Sequence, residues 1–355
     1  MPLRGGNLVE ENTKSNLFQN VSKDDWHNWR WQIENHIHTL SRLAGILNIS
    51  LPEADSYKDV IETYHFSVTP YYLSLIDMSN EKDPVRLQCL PDFRELDYLP
   101  GSSEDPLEEE RDMVVPDLIH RYPDRCLAMV TNTCAAYCRH CNRKRRWKNP
   151  QTEHSRKNLQ RMVDYVSRTK QIREVILSGG DPLMLKIETL EWFLHSLKSI
   201  PHVEVIRIGS RIPVVLPMMI DQNLCDMLQK NRPLWFITQF NHSKEITLDA
   251  AGACEMLLGA GIPVMNQSVL LKGVNDSYEA MRDLLYGLQR ISVKPYYLFQ
   301  CEPVKGVEHF QVDVWKGMEI MEKLWRNISG LCIPRYVFDL PGGRGKMPLQ
   351  PFSFL

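Results

Sequence analysis

Three cysteines lie close together in the segment CAAYCRHC, residues 134–141. They are Cys134, Cys138 and Cys141. Thiols at such short intervals, in a chain of 355 residues with no apparent secretion signal, indicate metal or redox chemistry rather than a disulfide framework. Three thiolates suit an iron–sulfur cluster in which three irons each take one cysteine and the fourth stays open. Zinc is the alternative, with Cys126 or His140 completing four ligands, but the spacing favours the cluster.

Two glycine-rich segments occur further along the chain. LSGGDPL, residues 177–183, could let the backbone approach a ligand closely, although SGGD alone would be an ordinary loop. PGGRGK, residues 341–346, is not a phosphate-binding P-loop, because G-x4-G-K is absent and Met347 stands where Ser or Thr is needed. A lysine after such a turn is usually just exposed. The basic run Arg143–Arg146 could equally be a solvated face.

The elements that must position these residues alternate between strands and helices. Short apolar runs predict strands at 126–131, 174–178, 203–208, 234–239, 263–270 and 295–300, and RYVFD predicts a further strand. Helical periodicity lies between them, at 186–199, 221–230, 247–259 and 278–290. This α/β pattern predicts parallel βα units that form a partial (βα)6 barrel, with the chemistry at the carboxyl ends of the strands.

The chain divides into three predicted regions. Residues 1–110 are a tail followed by a helical accessory region, residues 111–346 hold the barrel and its sites, and residues 347–355 are a short C-terminal tail. Apolar residues at helical intervals from Trp26 to Leu47 predict one amphipathic helix that starts with a capping box at Ser22. The acidic stretch GSSEDPLEEERD predicts a solvated loop.

Composition excludes several broad classes. A net charge of −2 gives no reason to expect nucleic acid or an anionic membrane as a partner. No segment approaches the apolar length of a membrane helix, and the polar N-terminus has no signal-peptide pattern, so we expect a cytoplasmic protein. Outside the cluster, Cys89, Cys225, Cys254 and Cys332 are expected to be small buried hydrophobic residues.

The motifs resemble those of a known enzyme family. CAAYCRHC fits the CxxxCxxC signature of radical S-adenosylmethionine enzymes, and the GGD segment follows in the expected order. HRYPDR, CRHCNRKRR, RIGSRIPVVLP, NQSVLLKGVND, KPYYLFQCE and DLPGGRGK resemble, in order and spacing, the lysine 2,3-aminomutase family. The resemblance covers residues from about 25 to 349.

The resemblance implies three cofactors: a [4Fe-4S] cluster, S-adenosyl-L-methionine and pyridoxal 5′-phosphate. It places the three cysteines on the cluster and Lys346 in a Schiff base with pyridoxal phosphate, whose phosphate Arg121 and Arg125 would bind. It places the other cofactor-binding residues near S-adenosylmethionine: Ser178, Gly179, Gly180, Asp181, His140 and Gln267.

The same resemblance implies a reaction and a substrate class. The family moves the α-amino group of an amino acid to Cβ by radical chemistry, using an electron from a donor such as flavodoxin or ferredoxin. Arg143 would bind the substrate α-carboxylate, and Glu302 and Asp339 would hold a distal cation. L-Lysine is the first expectation and L-arginine the alternative, because a guanidinium also pairs with carboxylates. A more distant alternative is a radical enzyme that modifies a macromolecule.

The sequence departs from the family in two places. Glu302 stands where the lysine enzymes have an aspartate, so the reach of the pocket is altered. The chain ends nine residues after Lys346, and Ser277 stands where longer members have a zinc-binding cysteine. We therefore expect any homo-oligomer to form without an intersubunit zinc.

Overall fold

The computed structural model describes residues 18–47, 50, 57–148, 155–340 and 345–349. The ten strands are β1 Met113–Val115, β2 Leu118–Tyr122, β3 Arg125–Thr131, β4 Glu174–Gly179, β5 Val205–Gly209, β6 Leu234–Thr238, β7 Val264–Leu270, β8 Lys294–Gln300, β9 Arg335–Leu340 and β10 Gly345–Pro348. The helices are α1 Lys23–Trp26, α2 Trp29–Glu34, α3 Leu40–Leu47, α4 Lys58–Thr63, α5 Pro70–Ser74, α6 Pro84–Cys89, α7 Arg156–Arg168, α8 Ile187–Lys198, α9 Ile212–Val215, α10 Gln222–Lys230, α11 Leu248–Gly259, α12 Tyr278–Arg290 and α13 Val314–Asn327.

All ten strands form one sheet in sequence order. Neighbours from β3 to β9 pair in parallel, whereas β1–β2–β3 at one edge and β9–β10 at the other are antiparallel. No bond joins β1 to β10 among the described residues, so the barrel is partial, as the sequence predicts. The carboxyl ends of the parallel strands therefore meet at one edge, where the cysteine loop follows β3, the glycine motif ends β4 and Glu302 follows β8.

The βα units follow from local sequence signals. Helices α7, α10, α11 and α12 begin after Ser155, Asp221, Thr247 and Ser277, whose side chains each accept a bond from a backbone N–H of the first turn. Each helix buries its apolar side chains in a core that runs along the whole sheet. The predicted positions of strands and helices from residue 126 to 300 are confirmed to within two residues.

The N-terminal prediction of one long helix is wrong. The stripe from Trp26 to Leu47 is divided into the three short helices α1, α2 and α3. Asn28 caps the start of α2, and Asn35 ends it. Ile37 is extended and exchanges backbone bonds with Val68, at 2.8 and 3.0 Å. The predicted cap at Ser22 is present, with its hydroxyl 3.0 Å from the Asp25 backbone nitrogen.

Two elements flank the barrel that the apolar runs did not predict. β1 and β2 form a hairpin before the first parallel strand, so Arg121 lies in β2 and Arg125 begins β3. β10 folds back on β9, which places Lys346 opposite Asp339. None of the described helices has the length and apolarity to cross a membrane.

Candidate active site

The cysteine loop begins directly after β3. Backbone bonds hold it at each step: Tyr137 N–H donates to Ser67, Arg139 N–H to Gln88 and Cys141 N–H to the Cys138 carbonyl, at 3.0, 2.8 and 2.9 Å. All nine cysteines of the chain are free thiols. Those predicted to be buried hydrophobic residues are confirmed as such: Cys89, Cys225, Cys254 and Cys332.

N–H donors point at the sulfurs of this loop. Arg211 Nη1 lies 2.8 Å from the Cys138 sulfur, and the Arg143 backbone N–H lies 3.3 Å from the Cys141 sulfur. Burial and the neighbouring Cys138 raise the pKa of Cys141 to about 11, so metal binding must displace its proton. Donors aimed at sulfur stabilise ligating thiolates, so this donor set fits an iron–sulfur cluster.

The zinc alternative has no matching geometry. Cys126 lies within β3 and belongs to the hydrophobic core, and His140 lies beside Asn241, with 3.2 Å between Nε2 and Nδ2. Among the described residues, no three His, Cys, Asp or Glu side chains converge on one metal ion. A cluster with one cysteine on each of three irons does not need such convergence.

A buried carboxylate anchors the cysteine loop from the accessory region. Glu95, in the 3₁₀ helix Phe93–Leu96, is fully buried and binds two cations of the loop. Arg139 donates to both of its oxygens, at 2.9 and 2.5 Å, and Lys144 Nζ lies 2.7 Å from Oε2. One acid thus holds residues on both sides of Cys141. The sequence identified the basic run Arg143–Arg146 as a feature but did not predict that Glu95 pairs with Lys144.

Glu95→Ala is expected to destabilise the protein by about 3–5 kcal/mol, because it leaves two buried cations without a counter-charge. We also expect less iron to be retained after anaerobic reconstitution, because both flanks of Cys141 lose their anchor. Urea unfolding and iron analysis measure the two effects. The matched control is Glu204→Ala, whose pair with Arg173 is exposed and should change little. Equal effects in the two variants would contradict the anchoring role.

The glycine motif packs against the start of the cysteine loop. A Cβ on Gly179, whose φ is +118°, would lie 2.4 Å from the Thr131 carbonyl oxygen, and one on Gly180 would lie 2.4 Å from that of Thr133. Only glycine fits at both positions. Asp181 N–H also donates to Thr133, at 2.8 Å. The motif therefore sets the distance between the ends of β3 and β4.

Asp181 also reaches the end of the next strand. Its carboxylate accepts bonds from the backbone N–H groups of Arg211 and Leu183, at 2.8 and 3.1 Å. Burial raises the pKa of Asp181 to about 6. Asp181 thus joins the end of β4 to the loop after β5 through backbone hydrogen bonds. The side chain of Arg211, in that loop, binds the Cys138 sulfur.

Two further residues were predicted to lie near S-adenosylmethionine. His140 is buried, and its Nδ1 has no hydrogen-bond partner among the described residues. Burial, with Arg211 and Lys144 nearby, lowers its pKa well below the usual value, so it is neutral. Gln267 is partly buried in β7. An orphaned ring nitrogen beside the cysteine loop is the kind of atom that a polar ligand satisfies.

Lys346 lies at the hairpin between β9 and β10. Its Nζ is 3.0 Å from Asp339 Oδ2 and 5.6 Å from the ring centres of both Tyr122 and Phe299. Tyr122 Oη and Asp339 Oδ1 are buried and have no partner in the part of the chain that the structure describes. Aromatic faces and two orphaned oxygens around a lysine fit an aromatic, polar cofactor held on that lysine. Pro341–Arg344, the rest of the PGGRGK motif, lie outside the described residues.

The two arginines of HRYPDR flank the same tyrosine. Arg125 stacks on the Tyr122 ring, 3.8 Å from its centre. Arg121 is bound by Asp112, with 2.6 Å between Nε and the carboxylate, and by the Leu107 carbonyl. The fold therefore brings both predicted phosphate-binding cations to the neighbourhood of Lys346. Both are already paired, Arg121 with Asp112 and Arg125 with Asp124.

Arg143, predicted to bind a carboxylate, is partly buried and already pairs with one. Glu109 accepts its Nε and Nη2, at 2.9 and 2.7 Å, and Ser178 lies 3.2 Å from its Nη1. The prediction that the acidic stretch is entirely solvated is therefore wrong, because Glu109 is 4% exposed. A run of acidic residues in the sequence does not show that one of them is buried beside an arginine from another segment.

Glu302 lies next to the cysteine loop. Asn142 Nδ2 donates to its Oε2, at 3.1 Å. Burial, and the negative charges of Asp339 and Glu109, raise the pKa of Glu302 to about 7. The two carboxylates predicted to hold a distal cation are therefore close enough to repel each other, and a cation placed between them would relieve that repulsion.

Comparison with known proteins identifies the family. Residues 129–285 match the model of the Radical SAM superfamily. L-lysine 2,3-aminomutase of Acetoanaerobium sticklandii is 46% identical over 338 residues, which cover 95% of this chain and 82% of that protein. The chain belongs to the lysine 2,3-aminomutase family. A putative L-lysine 2,3-aminomutase of Aquifex aeolicus is 47% identical over 94% of this chain and 91% of its own length.

The family also contains a relative that is named for a different amino acid. Glutamate 2,3-aminomutase of Clostridioides difficile is 42% identical over 94% of this chain and 78% of its own length. Among solved structures, Streptococcus suis SuiB has a TM-score of 0.45 at 10% identity, over 61% of this chain and 49% of its own. The family is one of radical S-adenosylmethionine isomerases that use a [4Fe-4S] cluster, S-adenosylmethionine and pyridoxal phosphate. Substrate choice must be argued from the residues themselves.

Proposed function

We propose that this protein moves the α-amino group of a basic L-amino acid to Cβ, and that L-lysine is its substrate. The observation that carries the substrate is a pair of carboxylates: Asp339, 3.0 Å from Lys346 Nζ, and Glu302, whose pKa the negative charge of Asp339 helps to raise. Asp339 is buried and Glu302 is partly buried, so water screens their charges poorly. A substrate with a cationic side chain neutralises them, whereas the carboxylate of glutamate would add a third negative charge.

The chain's own residues bind and orient. When bound, the cluster and S-adenosylmethionine supply the radical, and pyridoxal phosphate carries the migrating nitrogen. Lys346 would hold the pyridoxal group through its side-chain nitrogen. Arg143 binds the α-carboxylate, and Glu302 and Asp339 fix the distal end. The partly buried rings of Tyr122 and Phe299, near Lys346, limit the access of water to the reacting carbon.

L-Arginine is the second candidate, because its guanidinium pairs with two carboxylates in a fork. Glu302 has a longer side chain than an aspartate and is hydrogen-bonded to Asn142. The position of its carboxylate relative to Asp339 therefore differs from that of a second aspartate. A macromolecular substrate is disfavoured, since a net charge of −2 offers no general basic face. The required electron comes from a small donor such as flavodoxin or ferredoxin, and nine free thiols fit the reducing cytoplasm.

An anaerobic amino-acid panel tests the proposal. Reconstituted protein is incubated with L-lysine, L-arginine, L-ornithine, L-glutamate or L-glutamine, and β-amino products are separated by chromatography. We expect β-lysine to dominate. Dominant β-arginine would support the second candidate, preference for glutamate would contradict the two-carboxylate argument, and absence of any β-amino product would contradict the reaction.

The pKa of Glu302 makes lysine binding depend on pH. Its raised pKa of about 7 means that Glu302 is mostly neutral at pH 6 and mostly ionised at pH 8. Because the ionised form attracts the cation, Kd for L-lysine should fall about tenfold between those values. Titration of the pyridoxal absorbance measures Kd. Glu302→Gln should lose this part of the pH dependence, and an unchanged pH profile in the variant would remove Glu302 from the binding site.

A further inference from the structure

Glu109 has the most deeply buried acidic side chain of the segment GSSEDPLEEERD. It is 4% exposed, whereas the side chain of its neighbour Glu110 is 74% exposed. Burial of a carboxylate is unfavourable unless it is paired and hydrogen-bonded. Glu109 meets both conditions through two arginines that follow the last cysteine of the loop, Arg143 and Arg145.

Glu109 binds one particular edge of the Arg143 guanidinium. Its Oε1 accepts Nε and Nη2, at 2.9 and 2.7 Å, and its Oε2 lies 3.1 Å from Nε. A guanidinium has two edges with the parallel N–H geometry that a carboxylate prefers. Glu109 takes the Nε–Nη2 edge, so the Nη1–Nη2 edge is left for a second carboxylate.

Arg145 limits how much of the Arg143 charge Glu109 neutralises. Arg145 Nη2 lies 2.8 Å from Glu109 Oε2 and 3.0 Å from Asp105. The Glu109 charge is therefore shared between two guanidiniums, and Arg143 retains attraction for a further anion. Nη1 of Arg143 also lies 3.2 Å from Ser178 Oγ, which ties the guanidinium to the glycine motif.

We propose that Glu109 is a positioning residue that aims the Nη1–Nη2 edge of Arg143 at the substrate α-carboxylate. This inference rests on the proposed function and adds a residue to it. A competing role for Glu109 predicts the opposite change in substrate affinity when the residue is removed. If Glu109 instead occupied the carboxylate site itself, its removal would free Arg143 and tighten substrate binding.

The experiment compares three variants: Glu109→Gln, Glu109→Asp and the control Glu110→Gln. Kd values for L-lysine and for L-lysine amide, which lacks the α-carboxylate, are measured by titrating the pyridoxal absorbance of anaerobic, unreduced enzyme. KM, kcat and iron content are measured on the same preparations. The difference between the Kd values for lysine and its amide measures the α-carboxylate contact. A general loss of structure would weaken the binding of both compounds and leave this difference unchanged.

We expect Glu109→Gln to raise Kd and KM for lysine about tenfold and to leave kcat within about threefold, because an orienting contact acts on binding. Affinity for the amide should hardly change, so discrimination between lysine and its amide should fall. Glu109→Asp should recover part of it, and Glu110→Gln should match the wild type. Tighter lysine binding, or unchanged discrimination with normal iron content, would overturn the proposal.

The wild-type panel separates this outcome from failure of the proposed function. If the wild type prefers another amino acid, that amino acid and its amide replace lysine in the titrations. If the wild type binds amino acids without turning them over, the reaction assignment fails, while the Kd comparison still decides the role of Glu109. Loss of iron in Glu109→Gln alone would assign the residue to the cysteine loop instead, and would also overturn the proposal.

Discussion

Cys138→Ala is expected to abolish the iron–sulfur spectrum, the cleavage of S-adenosylmethionine and all turnover. The loop has three thiols for three irons, so a two-cysteine loop cannot hold a four-iron cluster. Arg211, 2.8 Å from the Cys138 sulfur, would also face an empty position. Iron content should fall from about four atoms per chain to a small fraction of that after anaerobic reconstitution. Iron analysis, visible absorbance and release of 5′-deoxyadenosine measure the loss.

The matched control is Cys126→Ala, a buried thiol of β3 just before the loop. It should keep its iron and its spectrum, because its side chain belongs to the core. Cys134→Ala and Cys141→Ala should behave as Cys138→Ala does. A full cluster in any of these three variants would refute the cluster assignment, and loss of metal in Cys126→Ala would favour the zinc alternative.

The barrel could be predicted from sequence because its periodicities are local. Each parallel strand contains a short apolar run that becomes buried, and the helices α7, α10, α11 and α12 each begin after a capping residue, such as Thr247 or Ser277. The signals for element type, boundary and burial agree along this part of the chain. Segments whose signals agree in this way are the ones that sequence patterns locate well.

The N-terminal region and the edges could not be predicted in the same way. Apolar spacing from Trp26 to Leu47 fits a helix, but Ile37 pairs with Val68 in extended form, a contact that depends on the tertiary fold. Strand β10 has four residues and exists because β9 offers it a partner. Such contacts are set by distant segments, and local propensity carries little information about them.

Prediction of the site was more complete for ligands than for their partners. The cysteines, Arg143, Glu302, Asp339 and Lys346 could be named from motifs, and the fold places the last two opposite each other. Glu95 and Glu109 were missed, because both lie in segments with no motif and gain their role through buried arginines. The available signal was charge balance, since a basic run so close to a metal loop requires acids from elsewhere in the chain.

Lys346→Ala is expected to lose covalently held pyridoxal phosphate and amino-acid turnover, the latter by at least about a thousandfold. The pairing of β10 with β9 sets the position of Lys346, whose Nζ lies 5.6 Å from the ring centres of Tyr122 and Phe299. The cysteine loop is held by contacts with Glu95 and Arg211 that do not involve Lys346. Reductive cleavage of S-adenosylmethionine should therefore survive in part, which separates the two cofactor sites.

Borohydride reduction followed by peptide mass spectrometry gives a direct readout. In the wild type, the pyridoxyl group should be found on Lys346. In Lys346→Ala it should be absent, while iron content stays normal. The matched control is Lys272→Ala, which removes an exposed lysine after β7 and should retain the group.

Loss of Lys346 also removes the cation 3.0 Å from Asp339, so that carboxylate is left to repel Glu302. A pyridoxyl group on another lysine of the wild type would show that the cofactor site lies elsewhere. It would also contradict the substrate argument, which depends on the carboxylates near Lys346.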